Sequence, residues 1–206
     1  MSRLLVVLDV DSTLIGQEVV DLLADAAGVG AEVAAVTEAA MRGKLDFAAS
    51  LARRVALLAG LPASVLVDVR SRITVTDGVP ELIAAVHAAG GAVAAVSGGF
   101  RQVLDPLAAQ LGLDRWHAND LEVAGDELTG RVLGGVVDAA VKRERLLAWA
   151  AELGADRTIA IGDGANDLAM MAAADLSVAF DAKPAVRAAA DLVLPGRSMR
   201  PLLALL

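Results

Sequence analysis

Five short apolar runs punctuate the chain: LLVVL at 4–8, AVAAV at 92–96, TIAI at 158–161, SVAF at 177–180 and LVL at 192–194. Each is followed closely by Asp, Ser, Gly or Pro. Continuous apolar runs of this length are what strands covered on both faces require, because neither side of such a strand meets water. The stretches between them carry apolar positions at helical spacing. The alternation predicts an α/β fold, a Rossmann-like parallel sheet with helices on both faces.

Two stretches modify that plan. The first two runs lie more than 70 residues apart, far beyond one crossover helix. Residues 16–70 include VVDLLADAAG and FAASLARRVALLAGLP, with Gly60 and Pro62 as stop signals. They predict a small helical cap inserted after the first strand, a substrate lid over the carboxyl ends of the strands. An α/β catalytic core domain is then expected from residues 1–15 and 71–206. DLEVAGDELTGRVLGG, at 120–135, alternates around Gly125 and Asp126 and predicts an antiparallel hairpin appended to the sheet.

Composition narrows the chemistry. Hydrophobic residues make up 56% of the 206 and aromatics only 2%, so Ala, Val and Leu must fill the interior. Cysteine is absent, which excludes disulfides, a thiol nucleophile and Cys-based zinc sites. His87 and His117 are too far apart for a His-rich metal site, so any metal here must be held by oxygen. A net charge of −8 argues against nucleic acid as a partner. Only about five apolar residues precede the first acid, too few for a signal peptide or a membrane span. A soluble, cytoplasmic protein with no membrane partner is expected.

The apolar runs end in acid. Asp9 and Asp11 follow the first, and side chains two apart on a strand point the same way. TIAI runs into GDGAND, which puts Asp163 and Asp167 at a second strand end, with Asn166 near a helix start. Ligands bind where the carboxyl ends of parallel strands meet. Clustered carboxylates repel unless a divalent cation sits among them, and Mg2+ suits an all-oxygen set. The second run ends in SGG, where Ser97 offers a hydroxyl and Gly98 and Gly99 offer backbone amides for an anion. Lys142 is one of three lysines. Taken singly, these also read as turns, a common loop and a solvated charge.

Taken in order, DVDST, SGG, a later Lys and GDGAND resemble the haloacid dehalogenase-like superfamily over almost the whole chain. Within it, DSTLIGQEVVDLLADAAG and TEAAMRGKLDFAASLARRVALLAGL are similar to the cap of the phosphoserine phosphatase family. The resemblance implies Mg2+-dependent hydrolysis of O-phospho-L-serine, a small-molecule substrate, through an aspartyl-phosphate, the last step of serine biosynthesis. It implies that Asp9 is the nucleophile and Asp11 the general acid, then base. Asp9, the Asp11 carbonyl and Asp163 are expected to hold Mg2+, with Asp167 in support. Lys142, Ser97 and the Gly98 amide are expected to grip the phosphate, with Asn166 also in the substrate set. From the cap, the resemblance implies Glu18 for the substrate ammonium, Arg54 for its carboxylate, and Met41 and Phe47 on the apolar side. Leaving Glu18 or Arg54 buried and unpaired costs about 2–5 kcal/mol, which would favour phosphoserine over esters lacking either group. Leu8, Val75 and the glycine-free ADLSVAF depart from the family pattern without touching a proposed catalytic group.

Overall fold

The computed structural model describes residues 3–194 and 196–206. Its strands are β1 (Leu4–Leu8), β2 (Ala92–Phe100), β3 (Arg115–Ala124), β4 (Glu127–Leu133), β5 (Arg157–Gly162), β6 (Leu176–Phe180) and β7 (Leu192–Leu194). They form a seven-stranded sheet in the order β4-β3-β2-β1-β5-β6-β7. Every pairing is parallel except β3 with β4. The five apolar runs are all strands, and β1 lies between β2 and β5, with Leu8 in register with Ala95 on one side and Ile161 on the other. The acidic end of β1 therefore emerges beside the SGG and GDG turns.

Alternate residues of β1 serve different faces of the sheet, as strand geometry dictates. Val6 and Leu8 belong to one buried cluster, Leu5 and Val7 to another. On the Leu5 face, α7 (Ala139–Leu153) packs Leu146 and Trp149. The Val6 face receives α5 (Val79–Ala88) and α6 (Arg101–Leu111). The long insertion folds as α1 (Val19–Ala27), α2 (Gly30–Met41), α3 (Phe47–Ala56) and α4 (Val65–Ser71). Its Val19, Leu51, Val55 and Val69 join the same cluster as Val6 and Leu8, so the inserted helices share the core of the sheet. The remaining helices are the short α8 (Leu168–Met171) and α9 (Pro184–Ala189). Among the described residues, no helix is long and apolar enough to cross a membrane.

Two local expectations change. α3 ends at Ala56, ahead of Gly60, because the chain there turns onto the edge of β4: the Gly60 amide donates to Leu128 at 2.9 Å and Pro62 bridges to Glu127. The predicted stop residues mark that docking point. The hairpin is continuous with the sheet, since β3 begins at Arg115 and runs parallel to β2 before turning at Gly125–Asp126.

Candidate active site

Beyond β1 the chain makes one wide turn over Val10–Leu14. Ser12 takes up a left-handed conformation within it, at φ 60°. The turn aims Asp11 back at the start of α1, where its Oδ2 accepts the Val19 amide at 3.3 Å. The other oxygen, Oδ1, is buried with no protein partner. Burial, and then the Glu18 charge, push the Asp11 carboxyl up to about 8. It carries a proton at neutral pH.

Asp9 is fixed at the strand end, its amide donating to the Ile161 carbonyl at 2.9 Å. Its Oδ1 accepts from the Lys142 ammonium, which also donates to Asp167 Oδ1 at 2.7 Å. Lys142 sits in the first turn of α7, whose N-terminus is capped by Asp138. All three groups are buried, Lys142 and Asp167 completely. Burial pushes Asp9 well above the ordinary carboxylate range, the Asp167 charge adds to this, and Lys142 opposes both. Burial alone would lower the Lys142 ammonium, but the two carboxylates hold it above its ordinary value.

Asp167 Oδ2 accepts the amides of Asp163 and Gly164 at 3.2 and 3.0 Å, so both its oxygens are engaged. Gly162 must be glycine for this: a Cβ there would lie 2.5 Å from the Asp167 carboxyl carbon. Oxygens of Asp9, Asp163 and Asp167 all lie within 4.8 Å of one another. The half-buried Asp163 is pushed up to about 6 by burial and then by Asp167. This cluster fits a hard divalent cation, because every donor is oxygen and the excess negative charge is uncompensated. Among the described residues, the Asp163 carboxylate has no hydrogen-bond partner, and Asp9 has an oxygen outside its Lys142 bond. Asp167 is placed to brace them from behind.

Ser97 Oγ accepts the Gly99 amide at 2.8 Å, which leaves its hydroxyl proton free to donate. One further polar residue, Asn119 on β3, was not singled out in the sequence. It is 1% exposed; its amide donates to the Gly98 carbonyl and its oxygen accepts the Val137 amide, both at 2.8 Å. It ties the SGG turn to the segment leading into α7. A lone Asn in a polar stretch gives no periodic signal that would have found it.

A cavity of about 1,020 Å3 opens over this edge. Asp9, Asp11, Gly98, Asp163 and Asn166 line it from the sheet, and Glu18, Phe47 and Arg54 from the inserted helices. Lys142, Ser97 and Asp167 are buried behind it. Phe47 closes against Gly98, where a Cβ would lie 2.8 Å from the ring Cζ. Arg54 is half-buried; burial lowers it from its ordinary value, against the charges of Glu18 and Asp21. Glu18 is exposed, and its Oε1 accepts the Ser12 hydroxyl at 2.7 Å. The desolvation penalty expected of both cap charges therefore falls mainly on Arg54. Met41 ends α2, but its side chain lies outside the described residues.

A family model for haloacid dehalogenase-like hydrolases matches residues 6–172. The chain is 49% identical over 195 residues to the phosphoserine phosphatase SerB2 of Mycobacterium tuberculosis, covering 94% of this chain and 48% of that protein. It thus spans about half the length of that relative. It is 51% identical to the phosphoserine phosphatase of Streptococcus thermophilus, covering 89% of this chain and 86% of that one. A solved structure of a phospho-aspartyl intermediate analogue of phosphoserine phosphatase superposes with a TM-score of 0.93 at 40% identity, covering all of both chains.

Proposed function

The chain belongs to the haloacid dehalogenase-like hydrolases, and from that premise we propose that it hydrolyses O-phospho-L-serine to serine and phosphate. The observation that carries this is the cavity's division of labour. An acidic floor with the Gly98 and Gly99 backbone faces Arg54, the cation of the inserted helices in this lining, and Glu18, which stands there beside Asp21 and Asp46. A zwitterionic amino acid phosphate matches all three. In this reading residues 16–70 are the lid and residues 1–15 and 71–206 the catalytic core.

Asp9 attacks phosphorus in line, forming an Asp9 oxygen–phosphorus bond as the bond to the seryl oxygen breaks. The departing oxygen takes the proton of Asp11, whose elevated carboxyl is neutral at the pH of the cell. Asp11, now ionised, accepts a proton from the water that cleaves the aspartyl-phosphate, and Asp9 is regenerated. Lys142 orients Asp9 and opposes the burial that would otherwise raise its carboxyl further. The Ser97 hydroxyl and the Gly98 amide bind phosphate oxygens, and Asn166 borders the same space. Asp9, the Asp11 carbonyl and Asp163 would hold Mg2+, with Asp167 bracing them; when bound, the ion offsets the repulsion between the carboxylate nucleophile and the phosphate dianion.

The test is phosphate release from L-phosphoserine with and without Mg2+, beside Asp9→Asn. Sustained, Mg2+-dependent turnover that falls by about 10⁴-fold or more in the variant is expected. Turnover that survives the substitution would remove Asp9 as nucleophile, and turnover only on other phosphate esters would remove the lid assignment.

A further inference from the structure

The cavity wall holds an electrostatic problem that the reading above leaves open. Glu18 and Arg54 face one cavity with opposite charges, yet no ion pair joins them. An ion pair would satisfy each with the other and leave neither for a zwitterion. Arg54 has a backbone partner, its Nε donating to the Ser50 carbonyl at 3.4 Å. Glu18 stands at the N-terminus of α1, where a carboxylate ordinarily turns back to cap the helix. Glu18 makes no such bond: Asp11 takes the Val19 amide in the first turn, and the Asp21 amide donates to the Glu18 carbonyl. Among the described residues, the only hydrogen bond to the Glu18 carboxylate comes from Ser12, at 2.7 Å.

Ser12 reaches Glu18 because its backbone adopts φ 60°, a region that L residues seldom occupy outside Gly, Asn and Asp. Its amide donates to the Gln17 carbonyl at 3.2 Å, which closes the loop between them. A residue held in a disfavoured conformation while its side chain meets a cavity-lining carboxylate points from strain to function.

We propose that Ser12 is a positioning residue for substrate selectivity, holding Glu18 apart from Arg54 so that both charges stay available to a zwitterionic phosphomonoester. The proposal rests on the phosphoserine reading of the cavity. A hydroxyl suits the task because it donates one hydrogen bond without neutralising the carboxylate, leaving Glu18 Oε2 and the full negative charge for an ammonium group. A lysine or arginine there would bind Glu18 and cancel it.

The test compares kcat/KM on L-phosphoserine with that on phosphoglycolate, which keeps phosphate and carboxylate but lacks the ammonium-bearing carbon. Ser12→Gly removes the hydroxyl and fits the left-handed backbone without strain. It is expected to keep or raise the melting temperature, yet to lower the phosphoserine-to-phosphoglycolate ratio about tenfold, mainly through KM. Ser12→Asn tolerates the same backbone and carries an amide donor, and should restore part of the ratio. In an Arg54→Ala background, which leaves Lys183 as the cation of the cavity lining, the loss caused by Ser12→Gly should shrink. An unchanged ratio in Ser12→Gly, or equal losses on both substrates, overturns the role of Ser12 while leaving the phosphoserine reading intact. A wild-type chain that hydrolyses phosphoglycolate but not phosphoserine overturns that reading, and the role of Ser12 with it.

Discussion

The two walls of the cavity treat charge in opposite ways. On the sheet side, Asp9, Lys142 and Asp167 are buried and bonded to one another. On the helical side, Glu18 is exposed, Arg54 half-buried, and the two are unpaired. Mutual bonding fixes the sheet-side groups before any ligand arrives, which is what electrostatic preorganisation needs. Charges left without ionic partners are what recognition needs, because a substrate then completes contacts that the protein lacks.

The contrast breaks most readily at Lys142. Lys142→Ala leaves two carboxylates buried around a lost cation and should cost about 3–5 kcal/mol in urea unfolding, with part recovered on adding Mg2+. Arg54→Ala should barely move stability. Comparable costs at the two sites would show that the walls do not differ as described. Arg54→Ala should instead lower kcat/KM for phosphoserine by roughly 30-fold or more, with far smaller loss on p-nitrophenyl phosphate. Equal losses on both would relocate Arg54 to the phosphate.

Stability against pH sharpens the same contrast. Asp11 at about 8 and Asp163 at about 6 stand above the ordinary carboxylate value, as Asp9 does. The native chain thus holds protons that the unfolded chain has released, and its stability falls as pH rises through this window. His117 acts in the other direction, since burial and then Arg145 and Arg101 hold it below 6.5. Its effect is complete near neutrality. In chelator, the melting temperature should therefore fall between about pH 7 and pH 8, and Asp11→Asn should flatten that fall. A rise over this range would contradict the buried sheet-side cluster.

The smallest effect is expected where the two walls touch. Gly98→Ala places a methyl group against the Phe47 ring, which must move aside. A few-fold rise in KM with little change in stability is expected, because one ring at the cavity rim shifts while the sheet-side groups stay in place.

The sheet was legible because buried parallel strands are continuous apolar runs, and LLVVL or TIAI admits few other readings. The first half of β3 was not, because Trp116 and His117 are only partly covered and break the run. The acidic strand ends were legible for the same reason as the strands: a carboxylate closing an apolar run demands a partner. What no spacing conveys is which partner. That Lys142 occupies Asp167 and that Asn119 joins two loops depend on contacts between residues distant in the chain.

The position of β1 has a consequence for synthesis on the ribosome. It is translated before the other strands of this sheet, yet its partners begin at Ala92 and Arg157. At about 5–20 residues per second, the segment ending in Asp9 waits about 8–30 s before β5 has been translated. During that interval LLVVL is an apolar strand with at least one edge open, the kind of segment on which nascent chains aggregate or recruit chaperones. The acidic cluster therefore has no vectorial intermediate. It comes into being only when the segment carrying Lys142, Asp163 and Asp167 closes around the end of β1.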